Sequence, residues 1–306
     1  TSKYKEWEAY RKAEVQLGNL QNTIPMNAEE AALDLIRGQM NLVSAEKAFE
    51  LEELTYEVAK KRYELDDITY TELENARSAL GSARQKVYDS QKSLLSLQRN
   101  IYQMLGAEFG DILIAELTTD DVLLMITGRE SQLEEAVLGN PSTVNLLNRA
   151  IELEALKQQL DDTPVFEPNL SISANINYFD FRAGSTVSIT LSPNQLQTDE
   201  RDDLVIAIED KKLDLDLEQA NLELDLRMLD QSISIAREAL EISLNDYENA
   251  QVQFSEAELL FTYGERTAIE LETAELSLYS SQIKLYTSAV DLYKTLGDLL
   301  LLYRLS

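Results

Sequence analysis

Between Pro193 and Gly264 the chain contains neither proline nor glycine, the two residues that most readily interrupt a helix. A continuous helix over about 199–262 would be ~95 Å long at 1.5 Å per residue. That length is about three times the hydrocarbon thickness of a bilayer. The chain is also rich in Leu, Ala, Glu, Lys and Gln, a composition typical of long helices. A mainly α fold is therefore predicted.

Two apolar stripes run along this predicted helix. The first stripe consists of Leu213, Leu217, Ala220, Leu224, Met228, Ile235, Ala239 and Ile242. The second stripe consists of Leu215, Leu222, Leu226, Leu229, Ile233, Ala236 and Leu240. Positions two apart lie about 200° apart around a helix axis, so the stripes face nearly opposite directions. Such a helix needs a neighbour on each side, as in a ring or a flat array of helices, and a two-stranded coiled coil supplies only one.

The turn that ends this helix occurs twice in the chain. The segment FTYGERTAIELETAEL (261–276) has a blurred copy in YELDDITYTELENARS (63–78), and a shift of 198 residues aligns Thr69 with Thr267. Aromatic residues spaced by seven also correspond: Phe49, Tyr56 and Tyr63 with Tyr247, Phe254 and Phe261. After the turn Gly106 aligns with Gly297, a shift of 191, so the second copy has lost one heptad. These matches predict a duplicated antiparallel helical hairpin.

The other helices follow from the same repeat. We predict helices over about 28–65, from the Asp66-Asp67 turn to Leu105, and over about 267–296. Apolar heptads support the second and third of these, namely Leu73, Leu80, Val87, Leu94 and Ile101, and then Leu271, Leu278, Leu285 and Leu292. Pro25 is expected to kink or break the first long helix, because proline removes a hydrogen bond and clashes with the preceding turn.

Composition excludes several classes of function. The net charge of −28 makes nucleic-acid binding improbable, because phosphates need cationic partners. The chain has no Cys and no His, which removes thiol nucleophiles, zinc sites and imidazole acid–base chemistry. No nucleophile–base set or phosphate-binding loop is present, so we expect neither an enzyme nor a metal or cofactor. The sequence contains no run of 18 apolar residues, so it predicts no membrane-spanning helix.

Residues 166–194 carry the clear β signal of the sequence. Apolar residues alternate with small polar ones, and the apolar set is Leu170, Ile172, Ala174, Ile176, Tyr178, Val187, Ile189 and Leu191. One interpretation is a soluble hairpin that packs on helices. The other is a membrane β-hairpin, and since a bilayer does not tolerate open strand edges, several hairpins would then have to close one barrel.

The chain resembles the TolC-like outer membrane efflux protein family. The resemblance rests on the duplicated hairpin, on the β-hairpin that leads into the longest helix, and on two motifs, FTYGERTAIELETA (261–274) and LGNPSTVNLLNRAIELEALKQQL (138–160). It implies a homotrimer that forms a β-barrel in the outer membrane lipid and an α-barrel in the periplasm. It also implies a passive exit duct for efflux or type I secretion, coupled through a periplasmic adaptor (a membrane fusion protein) to an inner-membrane pump.

The resemblance places both turns at hairpin tips that meet the adaptor and form the gate. The tip residues expected to contact the adaptor are Asp66, Asp67, Thr69, Gly264, Glu265 and Thr267. Arg266 matches an arginine that holds the gate shut, with Glu72 as its acidic partner and Phe261 beside them. Glu270 matches an acidic residue of the constriction ring.

Two residues depart from the family pattern. Asp66 stands where the first tip usually has Gly, and Thr273 stands where a second ring acid can occur. These departures concern adaptor fit and ring charge rather than the fold.

The resemblance divides the chain into five segments: a first helical repeat (1–106), an equatorial segment (107–165), the hairpin (166–194), a second repeat (195–297) and an equatorial tail (298–306). The strands that precede the second repeat have no counterpart before the first. The sequence is therefore expected to be a fragment of a longer protein or a reduced homologue. The alternative function is that of a periplasmic helical scaffold, similar to an adaptor, which transports nothing.

Overall fold

The computed structural model describes residues 2–106, 118–163, 168–177, 184–193 and 198–305. In these residues the elements, in chain order, are α1 (Ser2–Glu64), α2 (Tyr70–Leu105), α3 (Thr119–Ala136), α4 (Val144–Asp162), β1 (Pro168–Asn177), β2 (Gly184–Pro193), α5 (Thr198–Thr262) and α6 (Ala268–Arg304). The mainly helical fold predicted from the sequence is thus confirmed. The predicted bounds of α2 and α5 differ from the observed ones by only a few residues.

Two predicted helix boundaries were wrong. Helix α1 begins at Ser2 rather than near residue 28, and α6 continues to Arg304 rather than ending near 296. In α6 the final turns are densely packed, with Leu296, Leu299 and Leu300 all buried. Burial of these leucines explains why the helix continues past Gly297, a residue that favours helix ends.

Pro25 was expected to kink or break the first long helix. The expected break was wrong, because α1 is helical on both sides of this residue. A proline inside a helix costs about 3 kcal/mol or more. Packing nearby offsets that cost, since Met26 and Leu33 are buried. The Asn22 side-chain amide also donates a 3.2 Å hydrogen bond to the Arg304 carbonyl at the end of α6.

The chain divides into two compact units. The first consists mainly of Thr1–Leu20 and Ser142–Asp225, and the second mainly of Gln21–Pro141 and Leu226–Arg304. The buried residues of the first unit include Ile151 and Leu153 of α4 and Leu204, Ile208 and Leu222 of α5.

A cluster of charges also joins three helices of the first unit. The Glu152 carboxylate of α4 accepts from Lys12 Nζ of α1 at 2.7 Å, Lys211 Nζ of α5 at 2.8 Å and Arg149 Nη1 at 3.1 Å. Burial alone raises the pKa of Glu152, but the hydrogen bonds from these three cations outweigh it and lower the pKa to about 2. Glu152 therefore stays ionised at any ordinary pH and ties α1, α4 and α5 together.

The second unit holds the largest apolar core of the described residues. Its buried members are Leu33, Ile36, Val122, Ile126, Ile233, Tyr286, Ala289, Val290, Leu292, Tyr293, Leu296 and Leu299. These residues come from four helices, α1, α3, α5 and α6, and α3 packs on α6. The core therefore lies around the C-terminal half of α6, far along the helices from the two turns.

Side-chain contacts in the second unit connect the long helices in the order α5, α6, α1, α2. Ser243 of α5 lies 2.8 Å from Ser288 of α6, and Lys294 of α6 contacts Asp34 of α1 at 2.8 Å. Gly38 of α1 faces α2 so closely that an added Cβ would lie 2.7 Å from Leu97 Cδ1. Helices of the two sequence repeats, α5–α6 and α1–α2, thus meet through α6 and α1.

The two stripes of α5 face different sides of the helix, as the sequence predicts, and differ in their environment. Every residue of the second stripe is buried or half-buried, and Leu222 and Ile233 are its most buried members. Every residue of the first stripe is exposed, and Leu213 retains 63% of its surface. The described residues of the chain therefore cover one side of α5 and leave the opposite apolar side uncovered.

Strands β1 and β2 pair antiparallel where the alternating sequence predicts a hairpin. The register places Leu170 opposite Leu191, Ile172 opposite Ile189 and Ala174 opposite Val187, while Ile176 lies opposite Ser185. Tyr178, the remaining apolar position predicted there, lies outside the described residues, as does the turn between the strands.

Candidate functional site at the two hairpin tips

The first tip joins α1 to α2 through a helix C-cap followed by an N-cap. Asp66 adopts the left-handed conformation at φ 57°, its N–H donates to Tyr63 O at 3.0 Å, and the Asp67 N–H donates to Arg62 O at 2.9 Å. This pair of bonds is the Schellman pattern, which satisfies the last carbonyls of a helix. The Asp67 carboxylate also accepts from Arg62 Nε at 2.7 Å.

The second tip joins α5 to α6 with the same backbone bonds. Gly264 adopts φ 76°, its N–H donates to Phe261 O at 2.9 Å, and the Glu265 N–H donates to Leu260 O at 2.9 Å. Gly264 carries no Cβ and takes this conformation freely, whereas Asp66 takes it against a steric cost. The two turns are therefore the same structure, built with a different residue at the position of positive φ.

Both tips then begin the next helix with a capping box. In the first, the Thr69 N–H and hydroxyl donate to Glu72 Oε2 at 2.7 and 2.8 Å, and the Glu72 N–H donates back to Thr69 Oγ1 at 3.3 Å. In the second, Thr267 and Glu270 form the same three bonds at 2.8, 2.8 and 3.3 Å. The Thr and Glu shared by the two copies thus start α2 and α6 in the same way.

These capping bonds lower the pKa of both glutamates. For Glu72 the backbone N–H of Thr69 is the main cause, followed by the Thr69 hydroxyl. For Glu270 the backbone N–H of Thr267 is the main cause, then its hydroxyl, and the positive charge of Arg266 adds to the shift. Both carboxylates are exposed and remain charged at neutral pH, so each tip presents a fixed negative charge.

The residues predicted to form a gate are not all in contact within one chain. Among the described residues Arg266 forms no ion pair with Glu72, whose carboxylate is held by Thr69. Instead Arg266 and Glu270 line a cavity of about 480 Å³ between α5 and α6, together with Gln253, Glu256, Thr273, Ala274 and Ser277. Phe261 lies at the same tip and is 42% exposed. The pairing of Arg266 with Glu72 to hold the gate shut stays a prediction.

Sequence analysis missed a second group of interacting residues, which lies in the core region of the second unit. Arg129 of α3 is buried and bonds to Glu29 of α1 and to the Tyr293 carbonyl of α6. Gly297, which the repeat aligns with Gly106, lies inside α6 against Arg129, whereas Gly106 has φ 62° and ends α2. The available sign in the sequence was Gly297 itself, because a glycine inside a helix, with no turn residues beside it, indicates that another side chain packs closely against the backbone.

The described residues include neither a membrane-spanning helix nor a cluster of metal-ligating side chains. None of their helices has both the length and the hydropathy needed to cross a bilayer. Nor do their acidic side chains come together in groups of three or more that could hold a metal ion.

Comparison with solved structures identifies the architecture. A crystal structure of CusC, described in connection with folding and transmembrane channel formation, superimposes with a TM-score of 0.62 at 14% identity, covering 96% of this chain and 72% of that one. The outer membrane protein VceC of Vibrio cholerae superimposes with a TM-score of 0.60 at 15% identity, with 97% and 73% covered. The CmeC outer membrane channel of Campylobacter jejuni gives 0.54 at 12% identity, with 97% and 66% covered.

The sequence itself matches no family profile and no curated protein. The likeness to CusC, VceC and CmeC therefore shows the fold, which is that of outer membrane channels, as the sequence motifs predicted.

Proposed function

We propose that this chain is one subunit of a passive exit duct in the outer membrane, in which three copies close a helical barrel that lies mostly in the periplasm. The observation that carries this proposal is the exposed apolar stripe of α5. A helix with apolar residues on two opposite sides needs a neighbour on each, and the described part of the chain supplies a neighbour on one side only. The fold shared with outer membrane channels supports the same conclusion.

The order of the helices indicates how the copies would meet. Contacts run from α5 through α6 and α1 to α2, which makes α5 and α2 the outer members of this series. In the second unit α5 exposes Met228, Ile235 and Ile242, and α2 exposes Tyr88 and Leu95. Packing the α5 edge of one copy on the α2 edge of the next would bury these side chains and, repeated around an axis, would close a ring.

The hairpin would anchor this duct in the membrane. Both strands have 10 residues, and a tilted strand needs about 9–11 residues to span a bilayer. We propose that strands from all copies close one barrel, since a bilayer does not tolerate unpaired strand edges. The lipid-facing set would be Leu170, Ile172, Ala174, Ile176, Tyr178, Val187, Ile189 and Leu191.

The tips would form the gate and the docking site for a periplasmic adaptor of an inner-membrane pump. The fixed charges of Glu270, repeated around the axis, would favour cations. Arg266, with Glu72 of a neighbouring chain and Phe261 beside them, would hold the tips together. The residues proposed to contact the adaptor are Asp66, Asp67, Thr69, Gly264, Glu265 and Thr267. The pump supplies the energy, and the duct only opens and closes.

The mass of the assembly in detergent tests the ring directly. We expect the mass of three chains, and we expect Ile235→Lys to convert it to that of one chain by placing a charge in the proposed interface. Glu241→Lys is the matched control, because this exposed residue lies about 120° away around the helix axis. A wild-type protein that is monomeric at all concentrations would contradict the proposal and favour the scaffold function.

Conductance in planar bilayers tests the conduit and the gate. We expect cation-preferring pores whose preference weakens in Glu270→Gln, a change that removes the charge but keeps a side chain able to complete the capping box. We expect Arg266→Ala to raise the conductance if Arg266 holds the tips together. Unchanged selectivity in Glu270→Gln would remove Glu270 from the constriction, and absence of pores in a correctly assembled protein would reject the conduit.

A further inference from the structure

Arg129 of α3 is the most deeply buried charged side chain of the described residues, with only 7% of its surface exposed. Its Nη2 donates to Glu29 Oε2 of α1 at 2.6 Å, and its Nη1 donates to the Tyr293 carbonyl of α6 at 3.3 Å. The guanidinium also lies over the Tyr293 ring, 3.7 Å from its centroid. One side chain of α3 is thus bound to both α1 and α6.

The socket that holds this guanidinium is shaped for it. A Cβ added to Gly297 would lie 2.1 Å from Arg129 Nη1 and 2.9 Å from Met26 Sδ, so no larger residue fits there without displacement. The Tyr293 hydroxyl donates to the same Glu29 Oε2 at 2.7 Å. Arg129, Glu29 and Tyr293 therefore form one closed network in which removing any member leaves another without its partner.

We propose that α3 is a strap across the two sequence repeats and that Arg129 is its fastener. Glu29 belongs to the first repeat and Tyr293 to the second, so the bond network of Arg129 fixes the position of one repeat relative to the other. The network has this capacity because the Arg129 guanidinium is buried. Although the Glu29 side chain is 48% exposed, loss of their bond would leave a buried charge without its carboxylate partner.

Polar contacts between α1 and α6 become fewer with distance from this strap. Near it, Lys294 contacts both oxygens of Asp34 at 2.8 Å. Towards the tips the last such contact is the half-buried pair Lys47–Glu275 at 2.6 Å. Among the described residues, no hydrogen bond or ion pair joins α1 to α6 between Lys47 and the first tip. The strap therefore acts as the fixed end about which the tip ends of the repeats can separate.

Paired spin labels on the full chain test this arrangement. The sequence has no Cys, so introduced cysteine pairs label cleanly. One pair, Asn27→Cys with Asp291→Cys, reports the spacing of α1 and α6 near the strap. The other, Lys60→Cys with Thr273→Cys, reports the spacing near the tips, and all four positions are exposed. Labelled chains are diluted with unlabelled chains so that only distances within one chain contribute.

We expect a narrow distance distribution near the strap and a broad one near the tips. Arg129→Met should broaden the distribution near the strap. Gly297→Ala should do the same without removing a charge, because its methyl group displaces the guanidinium. Arg237→Met is the matched control: Arg237 also binds α3, through Glu130 at 2.7 Å, but as an exposed pair, and its loss should leave both distributions unchanged.

Two results would overturn the proposal: equal widths for both pairs in the unsubstituted chain, or an unchanged distribution near the strap in folded Arg129→Met and Gly297→Ala. If Arg129→Met does not fold, Gly297→Ala and Arg129→Lys, which keeps the charge but loses the planar group over Tyr293, carry the test. The distances are measured whether or not the chain forms pores, so the strap and the proposed duct can fail independently.

Discussion

Replacement of Glu152 by Gln should destabilise the first unit in a way that depends on pH. Glu152 is the shared acceptor of Lys12, Lys211 and Arg149, with 20% of its side chain exposed. The difference between its ordinary pKa of 4.5 and the folded value of about 2 corresponds to about 3 kcal/mol at 1.36 kcal/mol per pH unit.

The observable loss should be smaller than this. Water reaches all three cations, and each keeps another carboxylate: Lys12 contacts Glu8 at 2.6 Å, Lys211 contacts Asp214 at 3.3 Å, and Arg149 lies 3.9 Å from Asp214. We therefore expect Glu152→Gln to lower the free energy of unfolding by about 1–2 kcal/mol at neutral pH, between the value for an exposed pair and that for a buried one.

The pH dependence follows from the lowered pKa. The carboxylate contributes its full stabilisation above the unfolded pKa near 4.5 and loses it as the pH falls towards about 2. The difference in the free energy of unfolding between the wild-type protein and Glu152→Gln should therefore decrease as the pH falls over this interval. Urea unfolding followed by circular dichroism at several pH values measures it.

Glu154→Gln is the matched control, because Glu154 is exposed on the same helix two residues away. We expect it to change stability by no more than about 0.5 kcal/mol at any pH. Equal effects of the two substitutions, or an effect of Glu152→Gln that persists unchanged at the lowest pH, would refute the assignment of Glu152 as the shared acceptor.

Three further predictions concern single residues, and urea unfolding measures each. Gly297→Ala should lower the free energy of unfolding by about 1–3 kcal/mol through overpacking. Gly128→Ala, whose Cβ would meet no atom within 4 Å, should raise it by up to about 1 kcal/mol. Changes in the same direction for both substitutions would contradict the close packing of Arg129 against Gly297. Asp66→Gly should stabilise by about 0.5–1 kcal/mol and Gly264→Asp should destabilise by about as much, because both positions require positive φ. Thr267→Ala should cost about 1 kcal/mol through loss of the N-cap, and a neutral result would mean that the capping box does not form in solution.

The parts of the fold that could be predicted from the sequence are those in which local pattern and packing agree. The absence of Pro and Gly predicted α5, and opposed apolar stripes predicted that its two sides need separate neighbours. The matching turns predicted two similar tips and aligned Thr69 with Thr267, although the capping boxes that these threonines form were not predicted. In each case a short stretch of sequence contains the residues that determine the structure.

The failures involve contacts between residues distant in sequence. Pro25 has an unfavourable local effect, and only the packing of Met26 and Leu33 explains why α1 continues. Arg129, Glu29 and Tyr293 are separated by 100 and 164 positions, and no short pattern brings them together. Glu270 could be placed at the second tip from its motif, but its bonds to Thr267 gave it a local role in starting α6 that the resemblance did not include.

Because each turn satisfies its own backbone groups, nothing in its hydrogen bonding depends on what stands beside it. The Schellman bonds at Asp66 and Gly264 and the boxes at Thr69 and Thr267 all connect residues of the same turn. A hairpin end of this kind can tilt or slide as a rigid piece while its internal bonds stay intact. Any widening at these ends would then be resisted only by side-chain contacts between hairpins, which are far less costly to exchange than buried backbone bonds.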